Sequence, residues 1–182
     1  MPMRSVIILL ALFANFAAAE STSSSAMELE AHIASSLSQG DEDGAGVSLA
    51  ELKALACSGD PIAASRVGRM YLFGNGMLAR DLDRARSFLS AAAMRGVPKS
   101  AADLVVTIIS SSRALDDLRE AAKWIKVAQF IDGPEATETT TELLRLAAGS
   151  MDLTVGYQAG ARWIQNYRNK GGVNEDSPCT SS

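Results

Sequence analysis

The sequence predicts an all-α protein built from stacked helix–turn–helix units, and three observations predict it. Residues 60–96 and 97–133 nearly repeat one another. Ala64 aligns with Ala101, Val67 with Leu104 and Tyr71 with Ile108 at an offset of 37. Asp81 then aligns with Asp117, Ala85 with Ala121, Phe88 with Trp124 and Ala92 with Ala128 at an offset of 36. The matched positions are mostly apolar and their spacing is helical, so each unit has an apolar face that it cannot bury alone. Finally, Gly, Pro and Asp punctuate the segments where helices should start and stop.

Taken in order, the chain opens with Arg4, an apolar run over 6–16 and Ala17-Ala18-Ala19. This is the pattern of a secretory signal peptide (1–19), with the mature chain starting at Glu20. The apolar run is too short to cross a bilayer, which takes about 20 residues. Residues 20–45 read as a linker, mobile over 21–25, with a short amphipathic helix whose stripe is Leu29, Ile33 and Leu37. Gln39 to Gly46 reads as an acidic loop, and Ser48 with Glu51 as a capping box that opens the next helix. The helical domain is expected over 46–170. Asp60-Pro61 starts a hairpin of 61–72 and 81–95, and a second hairpin spans 99–110 and 116–130. A helix from Gly133-Pro134 to about Ala148 follows. Asp152 caps the last helix, which carries Trp163, Ile164 and Tyr167, and Gly171-Gly172 ends it. Residues 171–182 read as a disordered tail. One segment, Leu104 to Ile109, is strand-like in β-branched content, but the repeat register makes it helix.

Ala63-Ala64, Val67-Gly68, Tyr71, Gly74, Gly76-Met77, Asp81, Ala85, Phe88, Ala91-Ala92 and Gly96 stand in an order and spacing that resemble a Sel1-like repeat, a tetratricopeptide-like helical hairpin with a glycine-rich turn. The second unit keeps Ala121, Trp124 and Ala128 but has Ser110 to Arg113 where the glycines would be. A fainter third trace at an offset of 39 maps Leu104 to Leu143, Ile108 to Ala147, Ala122 to Ala161 and Trp124 to Trp163. The resemblance implies a short right-handed α-solenoid of antiparallel hairpins and a protein–protein interaction scaffold or adaptor. In a Gram-negative bacterium it implies the periplasm, with regulation of a sensor kinase or of an envelope or exopolysaccharide pathway as an alternative role. Ala64, Gly68, Tyr71, Gly74, Gly76, Ala85, Phe88, Ala92, Gly96, Ala121, Trp124 and Ala128 are then structural. Gly68 needs a packing reason, because a mid-helix glycine costs about 1 kcal/mol against alanine. Gly74 and Gly76 need positive φ.

Charge and motif content narrow the function classes. The net charge is −4, and −5 once Arg4 leaves with residues 1–19. An acidic chain with no basic stripe or cluster suits neither nucleic acid nor an anionic membrane surface. The single histidine, His32, reads as a surface partner of Glu28. Asp41, Asp43 and Gly46 resemble the start of a calcium loop, but Ala45 offers no ligand and Glu51 falls one residue early. No metal or cofactor is expected. An enzyme acting on cell-wall or β-lactam substrates is the competing class, and no nucleophile motif of that chemistry occurs. A small-molecule binder is a third reading. Cys57 and Cys179 either pair in an oxidising compartment or remain separate thiols. If Ala63, Val67, Gly68 and Tyr71 pack inward, residues 65, 66, 69 and 70 lie outward. Arg66, Arg69 and Met70 are therefore the expected partner contacts.

Overall fold

The computed structural model describes residues 25–170 together with Pro178 and Cys179. The expected signal peptide, the expected mature start at Glu20 and most of the expected tail lie outside these residues. Among the described residues every regular element is helical. Helix α1 covers 25–38, so Ser25 already belongs to it rather than to a linker. It is followed by α2 (Glu42–Cys57), α3 (Pro61–Phe73), α4 (Leu82–Met94), α5 (Ser100–Ser111), α6 (Leu115–Asp132), a 3-10 turn (Glu135–Thr137), α7 (Glu138–Ala148) and α8 (Thr154–Lys170). None is long and apolar enough to cross a membrane. The chain divides into two compact units, Met1–Leu55 and Ala56–Ser182.

In the first unit, Asp41 corrects the expected loop. Its carboxylate accepts from Gly44 N (3.0 Å) and its carbonyl from Ala45 N (3.2 Å), so a helix starts here rather than at Ser48. Glu42 and Asp43 then sit in the first turn, where the helix dipole favours acids. Ser48 and Glu51 fall mid-helix and form no capping box. Ser48 is buried instead, with its Oγ 2.8 Å from Nδ1 of His32, which ties α2 to α1. Ile33 is the buried residue of the expected α1 stripe, while Leu29 and Leu37 are half-buried.

The second unit starts with an antiparallel hairpin. Asp60 caps α3 by accepting from Ala63 N (2.7 Å), and Asp81 caps α4 by accepting from Arg84 N (3.0 Å). Between them Gly74 (φ +74°) ends α3 and donates to Met70 O (2.8 Å), while Gly76 (φ +85°) passes the chain on. Asn75 Oδ1 accepts from Met77 N and Leu78 N across this turn. Gly68 has the packing reason its cost demands, since a Cβ there would stand 2.8 Å from Leu89 Cγ and 3.1 Å from the Leu89 backbone nitrogen. Tyr71 stacks on Phe88 with ring centroids 5.9 Å apart.

The β-branched segment lies in α5, and Leu104, Val105, Ile108 and Ile109 are buried. The register prevails over local propensity because these side chains fill the space between neighbouring helices. The glycine-free turn after α5 finds other partners. Ser112 Oγ accepts from Ala114 N, and the Arg113 guanidinium donates to Ile109 O. Arg80 serves α3 in the same way, with Nε 3.1 Å from Leu72 O. Ser65 bonds Ser100 (2.9 Å) and Arg69 faces Asp103 one turn on, so α3 and α5 run parallel side by side.

The C-terminal helices correct the third trace. Leu143 is 41 % exposed while Leu144 is fully buried, and the buried alanine is Ala148 rather than Ala147. The 3-10 turn before α7 changes the residue count per turn, so the offset of 39 points the wrong leucine inward. Trp163 is buried as expected, whereas Ala161 is exposed. Helix α8 lies along α6 through Gly156 and Gly160. A Cβ on Gly156 would stand 2.9 Å from Ala122 Cβ, and one on Gly160 would stand 2.6 Å from Lys123 O. Both residue series rise together, so α6 and α8 are parallel. Asp152 lies just before α8 and accepts from Thr154 N (2.9 Å). The Thr154 side chain first, and then this N–H, hold its carboxyl below the ordinary aspartate range. Cys57 and Cys179 are joined by a disulfide.

Candidate interaction surface

Helix α3 is covered by α4 on one side and α5 on another, which leaves a narrow accessible stripe. Ile62, Arg66, Arg69 and Phe73 occupy it at spacings of i, i+4, i+7 and i+11. Phe73 is 61 % exposed at the end of the helix. The matching stripe of α5 carries Ala102, Asp103, Val106 and Ser110. On α7, which packs against α5, Leu143 and Leu146 are exposed.

The expected partner contacts are thus corrected at one position. Met70 is buried and belongs to the core, and so is its neighbour Ser65. Assigning only one packing face to α3 ignored the second helix beside it. Arg66 and Arg69 lie on the accessible stripe, half-buried, with Ile62 and Phe73 as the apolar members that the earlier expectation lacked. The spacing of these four residues is visible in the sequence. The burial of Met70 is what singles them out.

The electrostatics centre on one pair. Arg69 Nε lies 3.3 Å from Asp103 Oδ2, attracted as a charge without an aligned hydrogen bond. Burial pushes the Asp103 carboxyl above the ordinary aspartate range, and Arg69 opposes that shift. Asp103 also receives the field of the α5 entry. There Lys99 is held at φ +68° with its backbone N–H donating to both carboxylate oxygens of Asp132 (3.0 Å each).

Elsewhere in this unit, Arg86 of α4 bridges Asp117 (3.0 Å) and Glu120 of α6. Ser112 and then Arg86 hold the Asp117 carboxyl below its ordinary value. Glu120 in turn accepts from the Trp124 indole (3.3 Å). Trp124 faces Trp163 at 6.2 Å, and Tyr167 joins Trp163 at 4.9 Å and Phe130 at 6.4 Å. The rings and the Arg86 ion pairs fill the space among α4, α6 and α8, while Phe73, Leu143 and Leu146 on α3 and α7 stay exposed. Ala64, Tyr71, Ala85, Phe88, Ala92, Ala121, Trp124 and Ala128 are all buried, and a Cβ on Gly96 would stand 2.9 Å from Tyr167 Cζ.

Between α6 and α7 opens a groove lined by Gln129, Pro134, Glu135, Glu138, Thr141 and Glu142. No three metal-ligating side chains among the described residues converge closely enough to hold an ion. What the α3–α5–α7 face can do is make mixed contacts, a guanidinium beside isoleucine, phenylalanine, valine and leucine. The chain matches no protein-family model, no curated protein and no solved structure.

Proposed function

We propose that residues 56–170 form a short right-handed α-solenoid of Sel1-like type that acts as an exported protein–protein interaction scaffold. The observation that carries this reading is the pairing of alternate helices. α3 runs parallel to α5 and α6 to α8, while α3 and α4 pack antiparallel. Alternate pairing of this kind is how stacked hairpins bury a shared core. In this reading α3, α5 and α7 share one layer, supported by the α3–α5 and α5–α7 contacts, and their accessible stripes offer Ile62, Arg66, Phe73, Val106 and Leu143 to a partner. Arginine and aromatic side chains are enriched in such contacts. The Cys57–Cys179 disulfide supports export, because disulfides persist in oxidising compartments.

The test is a double variant, Arg66→Glu with Phe73→Ser, expressed in place of the natural chain. Phe73 is exposed and Arg66 is half-buried on the same stripe. The helical circular dichroism should be unchanged while co-purification of the partner from envelope extract is lost. Normal recovery of the partner by the variant would place the contact on another face.

A further inference from the structure

The last helix has an unusual pair of attachments. Its one extended helix contact is α6, and it makes no comparable contact with α7, the helix before it in the chain. Its second attachment is covalent. Nine residues after Lys170, Cys179 is bonded to Cys57, which ends α2 just before α3. Pro178 O also accepts from Ser87 Oγ on α4 (3.2 Å), so the bonded segment rests against the first hairpin. Both cysteines are half-buried rather than sealed in the core.

Beyond α6, helix α8 makes only point contacts among the described residues, Trp163 with Met94 (3.3 Å) at the end of α4 and Tyr167 with Gly96, and an element packed along a single helix opens readily. While the disulfide is closed, an opened α8 is tethered at both ends, and its effective concentration near α6 stays high. With the disulfide open, that covalent attachment is gone and α8 is held by its packing alone. Helices α3 to α6 have no such dependence, because each is flanked by partners on two sides.

We propose that the Cys57–Cys179 disulfide is a redox clasp on α8: its reduction by a dithiol frees the helix to leave α6 and uncovers the aromatic face of Trp124 and Trp163. The exchange balances. One thiolate of the dithiol attacks a disulfide sulfur and forms a mixed disulfide. The second thiolate displaces it, closing the dithiol to its own disulfide and leaving Cys57 and Cys179 as thiols after proton uptake.

The experiment compares the oxidised protein with the same protein reduced by dithiothreitol under native conditions. Trypsin is the probe and the first cuts are mapped by mass. On reduction, initial cleavage at Arg162 and Arg168 within α8 should speed up by about tenfold or more, while Arg66 and Arg86 stay uncut in the same interval. The Cys57→Ser/Cys179→Ser double variant should show this pattern without reductant. Three results would overturn the proposal: α8 cut at the same rate before and after reduction, α3–α6 cut as early as α8, or cysteines that stay unreactive to iodoacetamide after dithiothreitol. If the double variant does not fold, the reduced natural chain alone decides between these outcomes.

Discussion

At the scale of single residues, the positions that matter most carry the least side chain. Gly156 and Gly160 let α8 approach the backbone of α6 closely enough that an added methyl meets Lys123 O and the Ala122 and Lys126 side chains. Gly160→Ala should therefore destabilise the protein by about 1–3 kcal/mol, the usual range for overpacking, although alanine is the better helix former. Denaturant melts check this, and a gain in stability would mean that α8 sits farther out. Asp103 makes a second residue-scale prediction. Its carboxyl is pushed up mainly by burial, so the folded state holds the proton more tightly than the unfolded state. Its contribution to stability is then full below the ordinary aspartate pKa and is lost as pH rises through the raised value. Asp103→Asn should remove that decline, so that stability measured by denaturant melts rises more steeply with pH across the acid range; an unchanged slope would contradict the buried carboxyl. Asp117 and Asp152 act with the opposite sign, since their carboxyls are held below the ordinary value. Their contributions are present above that value and fade as pH falls through the lowered one.

At the scale of elements, helix identity was legible in the sequence wherever a repeated position could outvote local preference. The segment Leu104 to Ile109 is the example, because its alignment with Val67 and Tyr71 named it helix against its β-branched content. Boundaries failed where a short polar residue had two uses. Ser48 suits a cap by type, yet Asp41, seven residues earlier, reaches the free N–H groups, and α2 absorbs the expected loop. The α7 register failed for a similar local reason, because a 3-10 turn is invisible to a repeat count. Leu144→Ala should cost about 2–5 kcal/mol, and Leu143→Ala should stay within about 0.5 kcal/mol. Trp124→Ala should cost about 3–5 kcal/mol, since the indole is enclosed by α6 and α8. Gly74→Val should cost more than about 1 kcal/mol, because valine resists the positive φ that ends α3. Thermal melts of these four variants test the element assignments together.

At the scale of the whole molecule, the candidate surface was only half legible. Arg66 and Arg69 stood out as charged residues opposite a packing face. Whether Met70 or Phe73 joins them depends on a second neighbouring helix, and one helix's periodicity cannot reveal that. The disulfide was legible as one of two options, because the sequence does not say how close residues 57 and 179 come in the fold. In the folded chain it closes a loop with a sequence separation of 122 around α3 to α8. Chain entropy assigns such a loop up to about 5 kcal/mol. Equilibrium unfolding with and without reductant should reveal a loss of about 2–5 kcal/mol, and an unchanged midpoint would show that the bond carries no stability.

The pairing of Trp124 with Trp163 has an optical consequence. These are the chain's two tryptophans, and their planes are inclined at 59° with centroids 6.2 Å apart. Transition dipoles that close and that inclined exchange excitation, so the indole absorption band splits into two components of opposite rotational strength. The folded protein should therefore show a bisignate exciton signal superimposed on the helical circular dichroism. Replacing either tryptophan by phenylalanine should abolish it while the helical bands remain. The signal depends on the mutual orientation of one ring on α6 and one on α8, which makes it an intrinsic ruler for the last helix that needs no added label.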